Sequence, residues 1–114
     1  MSFLSKFTLE ERSNESQRIM NKYPNRLPVI VEKAPSCLLE DIDKNKFLVC
    51  EDMKLSEFIF IIRKRIHLES SQSLFITING KLCQSNTLFS EIYKNEKNND
   101  GFIYIIYTTE NTFG

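Results

Sequence analysis

Apolar residues are unevenly spread along this chain, and their spacing changes from one segment to the next. Between Leu9 and Tyr23 only Leu9, Ile19, Met20 and Tyr23 are apolar, among many charged and polar neighbours. Thr8 followed by Glu11 has capping-box spacing, so the stretch predicts a surface helix of limited burial that Pro24 stops. Phe3, Leu4 and Phe7 precede it in a pattern too brief to choose between a helical turn and a packing arm. Leu27–Lys33 is rich in Val and Ile and predicts a buried strand; Lys46–Cys50 predicts a second, shorter one. Pro35, Ser36, Asp41 and Asp43 make the intervening 34–45 stretch turn-like.

Leu55, Phe58, Ile59, Ile62 and Ile66 recur at i, i+3, i+4, i+7 and i+11, the strongest helical signal in the chain. Leu74–Ile78 reads as a strand leading into the Asn79-Gly80 turn, and Thr87–Lys94 as a short helix. Asn95–Asp100 reads as a polar loop, and Phe102–Thr108 as a closing strand after Asp100-Gly101. A hairpin, a helix crossing back over the sheet and two further strands predict an α+β layered domain. The same element order is that of a ubiquitin-like β-grasp, although order alone leaves other small α+β folds open.

Length and charge narrow the functional classes. At 114 residues the chain suits one core. Fifteen basic and fifteen acidic residues cancel, which removes the electrostatic argument for nonspecific nucleic-acid binding. Residues 1–67 carry 12 Lys/Arg against 10 Asp/Glu, and residues 68–114 carry 3 against 5, so any basic patch belongs to the first part. The longest apolar runs, Phe58–Ile62 and Phe102–Tyr107, fall far short of the roughly 20 residues a spanning helix needs. Membrane attachment is therefore expected to be covalent or peripheral. Cys37, Cys50 and Cys83 are odd in number and far apart, which argues against a disulfide framework or a zinc site and fits a reducing, cytosolic setting.

Three blocks carry a resemblance: Lys22-Tyr23-Pro24-Asn25-Arg26-Leu27-Pro28-Val29-Ile30-Val31-Glu32-Lys33-Ala34-Pro35, then Asp41-Ile42-Asp43-Lys44-Asn45-Lys46-Phe47-Leu48-Val49, then Phe58-Ile59-Phe60-Ile61-Ile62-Arg63-Lys64-Arg65-Ile66-His67-Leu68. Together they resemble the autophagy ubiquitin-like modifiers, the family of GABA-A-receptor-associated protein and microtubule-associated light chain 3, and the similarity runs from about Phe7 to Gly114. The resemblance implies one ubiquitin-like domain over 1–114, with a helical extension at 1–24, a β-grasp core at 25–110 and a conjugation tail at 111–114. It also implies a substrate rather than an enzyme, with no cofactor of its own. In that family an activating enzyme adenylates the terminal glycine, and the acyl group passes through enzyme thioesters to the amine of phosphatidylethanolamine.

Gly114 would be that glycine. Lacking a side chain, it suits a narrow enzyme channel, and its backbone freedom lets a tail thread in. Many relatives carry residues beyond it that a cysteine protease removes, whereas here the sequence stops at Gly114. Lipidation would supply the paired acyl anchor that stable membrane residence requires. The implied partners are the activating and conjugating enzymes, a deconjugating cysteine protease, receptors with aromatic-x-x-aliphatic motifs, and the membrane itself, without nucleic acid. The implied location is cytoplasmic before conjugation, and the autophagosome or another intracellular vesicle or organelle membrane after it.

Lys46–Cys50 is expected to be an edge strand able to accept a partner strand. Anchors three positions apart on a strand point in opposite directions, so two pockets are needed. The resemblance implies an aromatic pocket from Glu15, Ile19, Pro28, Lys46, Leu48 and Phe102. It implies an aliphatic pocket from Phe47, Val49, Cys50, Met53, Phe58, Ile61 and Arg65. Ile61 supports the second set independently, because it falls off its helix's core stripe and needs another apolar partner. Cys50 stands where the family usually has proline, Phe47 replaces a usual tyrosine and Met53 a usual leucine, which keeps the pocket apolar but alters its width. The Asn79–Thr87 loop lacks the prolines often found there. Arg26, Lys44, Lys46 and Arg65 are expected to receive acidic residues flanking a partner's motif, against the plainer reading of a solvated surface. Leu74, Phe75 and Thr77 form a second docking face in some relatives and are read here as a strand packing on the core.

Three other readings compete. A noncovalent ubiquitin-like adaptor would keep the pockets without using Gly114. A cysteine enzyme would need a base near a thiol, and His67, the sole histidine, lies at a helix end on the core-side spacing, where a structural role is expected. Nucleic-acid binding through Arg63, Lys64 and Arg65 is disfavoured because adjacent helical residues point in different directions.

Overall fold

The computed structural model describes residues 2–109, so Gly114 and the 111–114 tail lie outside the described residues. Its elements are α1 (Phe3–Lys6), α2 (Leu9–Lys22), β1 (Arg26–Lys33), β2 (Lys46–Cys50), α3 (Leu55–Arg65), β3 (Phe75–Ile78), α4 (Phe89–Glu96) and β4 (Ile103–Thr108). The expected capping box forms: Thr8 Oγ1 accepts from the Glu11 amide at 3.1 Å, and Glu11 Oε1 accepts from the Thr8 amide at 2.9 Å. Phe3 and Leu4 fall in the short helix α1, with Phe7 as its C-cap; Ser2 starts it, and the Ser2 Oγ accepts from the Ser5 amide at 3.2 Å. The fourth helix starts later than Thr87 and runs to Glu96, into the stretch expected to be loop.

The strands form one mixed sheet in the order β2-β1-β4-β3. β1 pairs antiparallel with β2 and parallel with β4, while β3 pairs antiparallel with β4. The central strands β1 and β4 are covered on both faces, which is why they read as continuous apolar runs. On one face Val29, Val31, Ile103, Ile105 and Tyr107 join Leu55, Phe58 and Ile62 of α3 and Phe89 and Ile92 of α4 in the main core. On the other face Ile19 of α2 meets Ile30, Phe102 and Tyr104, with Phe3 and Leu48 at its margin.

A proline inside a central strand needs a position with no ladder donor. Pro28 sits opposite Leu48. Hydrogen bonds from the Val31 amide to the Asn45 carbonyl and from the Glu51 amide to the Asn25 carbonyl make the odd-numbered positions of β1 the bonded ones. Pairing with β4 begins only at Val29, opposite Ile103, so Pro28 owes neither neighbour a proton.

Two expectations are corrected. His67 does not face the core: it is exposed and left-handed, at φ 55°. The core stripe of α3 ends at Ile66, where the chain reverses through paired bonds from the His67 amide to the Lys64 carbonyl, 3.2 Å, and from the Leu68 amide to the Arg63 carbonyl, 3.0 Å, a Schellman closure. Asp100, expected in a polar loop, is 1% exposed. Burial there is tolerated because its carboxylate is fully engaged, as described below.

Candidate functional site: a two-faced edge strand

β2 lies at one edge of the sheet, and its even-numbered residues occupy non-bonded positions against β1. The backbone N–H and C=O groups of Lys46, Leu48 and Cys50 therefore point outward, away from β1. Two of these carbonyls have partners within the chain: Arg26 Nη1 donates to the Leu48 oxygen at 3.3 Å, and the Met53 amide to the Cys50 oxygen at 3.0 Å. Arg26 and Lys46, both expected at an electrostatic rim, thus flank the open edge.

Side-chain alternation gives the edge two differently lined sides. Lys46, Leu48 and Cys50 share the α2 side, while Phe47 and Val49 point into the main core. All six residues expected in the aromatic pocket come together on the α2 side. Pro28 is opposite Leu48, Phe102 is the residue just before the Val29–Ile103 pair, and Ile19 and Phe102 are buried beneath the gap between α2 and β2. Glu15 and Lys46 bridge the gap at 3.4 Å. A hydrogen bond from Arg18, reinforced by the charge of Lys46, holds the Glu15 carboxyl below its usual range. Glu15 and Lys46 also border a cavity of about 230 Å³ lined by Phe3, Phe7, Glu11 and Arg12. Phe3 and Phe7 were not among the expected site residues, and their only signal was the brief Phe3-Leu4…Phe7 pattern.

On the other side Phe47 meets Phe58 edge-on, with ring centroids 5.3 Å apart, and Val49 is buried beside them. Met53 and Ile61 are half-buried against this cluster, so Ile61 does find apolar company off its helix's main stripe. Arg65 lies 5.5 Å and Lys44 5.1 Å from the Phe47 ring centroid, and Arg65 pairs with Asp43 at 3.1 Å. Cys50 is the exception in this set: its strand parity places it with Lys46 and Leu48, at the end where the Met53 amide donates to its carbonyl at 3.0 Å.

The basic triplet of α3 is divided among separate tasks. Arg63 donates to the carbonyls of Glu69 and Gln72, at 2.7 and 2.8 Å, and ties down the loop after the helix. Lys64 lies over the exposed ring of Phe60, 4.8 Å from its centroid, and Arg65 faces Phe47. A larger open cleft of about 540 Å³, bounded by Ser2, Glu32, Lys33, Asp41 and Ile106 among others, lies apart from the predicted pockets. Thr77 is buried in β3, as the core-packing reading of that strand expects, while Leu74 and Phe75 are half-buried.

A mixed sheet crossed by α3 and preceded by two added helices defines a protein of the ubiquitin-like class. Residues 11–114 match the family model described as autophagy protein Atg8 ubiquitin like. The chain belongs to that family of ubiquitin-like autophagy proteins. It is 44% identical over 113 residues to autophagy-related protein 8 of Kluyveromyces marxianus, covering 99% of this chain and 91% of that one. With autophagy-related protein 8 of Schizosaccharomyces pombe it shares 46% over 112 residues, covering 98% and 93%. Among solved structures, the crystal structure of Trypanosoma brucei ATG8 superposes with a TM-score of 0.91 at 33% identity, covering 100% of this chain and 98% of that one.

Proposed function

We propose that this chain is a lipid-conjugated modifier, joined through the Gly114 carboxyl to the amine of phosphatidylethanolamine, and that it recruits partners through the β2 edge. In this reading an activating enzyme uses ATP to adenylate Gly114, and conjugating enzymes carry the acyl group as thioesters. An amide then forms as the last thiolate leaves. A cysteine protease would reverse the linkage by hydrolysis. The modifier supplies no catalytic group, and its lipidated form resides on autophagosomes or other intracellular membranes. No helix among the described residues is long and apolar enough to cross a membrane, so such residence would depend on the attached acyl chains.

The observation that carries the recruiting half is the open edge of β2, with Glu15, Ile19 and Lys46 on one side and Phe47, Met53 and Ile61 on the other. A partner strand carrying an aromatic and, three positions on, an aliphatic residue would place one anchor on each side while bonding to the backbone of Lys46, Leu48 and Cys50. Lys44, Arg26 and Arg65 would meet acidic flanks.

The test for conjugation mixes the chain with ATP, the lipidation enzymes of its own organism and phosphatidylethanolamine vesicles, beside a Gly114-deleted control. A membrane-bound product that requires Gly114 is expected. No product, with enzymes active on another substrate, would leave a noncovalent adaptor that keeps the pockets and never uses Gly114. That adaptor would function unchanged after the deletion.

A further inference from the structure

α2 forms one wall of the gap beside β2, yet its interior contact with the sheet is small. Ser16 and Ile19 are its only buried residues, and Met20 packs half-buried against the main core. Beside these apolar contacts the seat has a polar part, in which Arg12 and Ser16 lie on one helical stripe with Ile19, at i, i+4 and i+7. Arg12 Nη1 reaches Asp100 Oδ2 at 2.6 Å, and Ser16 Oγ donates to the Asp100 carbonyl at 2.5 Å. The same carboxylate accepts from the Tyr104 hydroxyl at 2.5 Å and from the Phe102 amide at 2.8 Å. Both oxygens of the Asp100 carboxylate are therefore hydrogen-bonded, and that side chain has no solvent exposure.

The turn beneath is shaped to receive the helix. Gly101 has φ +88°, and a Cβ there would lie 2.5 Å from Ser16 Oγ, so the backbone approaches α2 as closely as only glycine permits. Phe102, the next residue, donates its amide proton to this network and forms the buried floor of the aromatic side with its ring. One carboxylate thus fixes two sides of the same gap, the helix wall through Arg12 and the floor through Phe102.

Resting on the peptide-docking reading above, we infer that Asp100 is a positioning residue for the aromatic pocket: it sets the separation of α2 from β2, and so the fit of a partner's aromatic anchor, without touching the partner. Apolar contacts are non-directional and let a helix slide. Short charge-assisted hydrogen bonds are directional, and a helix held by them keeps its register. The aliphatic side is built by β2 and α3, on the opposite face of the sheet, and the Asp100 carboxylate's hydrogen bonds run instead to Arg12, Phe102 and Tyr104.

The test measures binding of three synthetic peptides to the full chain: one with acidic flanks and a Trp-x-x-Leu core, and two with Trp or Leu replaced by alanine. The variants are Asp100→Asn, which keeps shape but removes the charge, and Tyr104→Phe, which removes one bond to the same carboxylate and covers the case in which Asp100→Asn does not fold. The expected result is roughly tenfold weaker binding of the Trp-x-x-Leu peptide. The Leu→Ala peptide should lose by the same factor, and the Trp→Ala peptide should lose almost nothing, because the anchor that senses the gap is gone. Equal losses on all three peptides, or none on any, would overturn the positioning role while leaving peptide docking intact. Failure of the unaltered chain to bind any of the three would overturn the docking reading and this role with it.

Discussion

Arg12 and Asp100 are 88 residues apart in sequence and 2.6 Å apart in space, and they join the N-terminal helix to the turn that starts the last strand. The Arg12 side chain keeps 12% of its exposure and that of Asp100 none, so the two ends of the bond differ in environment. Removing the cation leaves a buried carboxylate supported only by Tyr104 and the Phe102 amide. Arg12→Met is expected to destabilise the fold, because the carboxylate it leaves behind stays buried without its cation. Urea unfolding of both proteins measures it; an unchanged midpoint would mean the pair behaves as a surface ion pair.

Gly101→Ala is expected to cost about 1–3 kcal/mol, because φ +88° strains an alanine and its Cβ would meet Ser16. Trimming the obstacle separates the two causes. In a Ser16→Gly background the added cost of Gly101→Ala should shrink to the backbone part alone. Strict additivity of the two substitutions in thermal unfolding would show that the close approach carries no energy.

His67 occupies a left-handed position that closes α3, a conformation costing an L-residue about 1–2 kcal/mol. His67→Gly should therefore raise stability by about 0.5–1 kcal/mol after the added freedom of the unfolded chain is subtracted. His67→Val should lower it. A rise in melting temperature for the first and a fall for the second is the expected pair of outcomes.

Alkaline pH should unfold this protein more readily than its composition suggests. Burial raises the Tyr104 phenol, and the hydrogen bond to Asp100 adds to the effect; burial pushes Tyr107 up to about 12. Both folded values exceed the ordinary value of 10, so their stabilisation is complete below pH 10 and is lost as pH rises toward the folded values. Two units at Tyr107 correspond to about 3 kcal/mol at most. Tyr107→Phe should flatten the decline of stability between pH 10 and 12, and an unchanged slope would refute the assignment.

Glu15 shifts the opposite way. Its folded value is depressed by Arg18 first and Lys46 second, so its contribution is present above the unfolded value of 4.5 and is lost as pH falls through the folded one. Partial exposure limits that contribution to at most about 1 kcal/mol. Carboxylate titration by NMR should show the Glu15 midpoint rising in Arg18→Ala and rising less in Lys46→Ala.

Much of the architecture was legible in local spacing. The i, i+3, i+4, i+7, i+11 stripe of α3 and the apolar runs of β1 and β4 identified their elements, because a side chain's period records which face is buried. The capping box placed the start of α2 to the residue. The candidate pockets came from the resemblance: Pro28, Lys46 and Leu48 of one and Phe47, Val49, Phe58, Ile61 and Arg65 of the other lie in the matching blocks, and spacing pointed independently to Ile61 alone.

What the sequence by itself determined was the class of most segments, the edge-strand character of Lys46–Cys50 and the family. What only the tertiary structure decided was the seating of α2, the burial of Asp100, the exposure of His67 beyond Ile66 and the parity that sets Cys50 beside Leu48. Apolar periodicity is a local signal, repeated every two or 3.6 residues. A polar bond between Arg12 and Asp100 repeats nowhere, and each partner alone reads as an ordinary solvated charge until the fold seals the carboxylate from water.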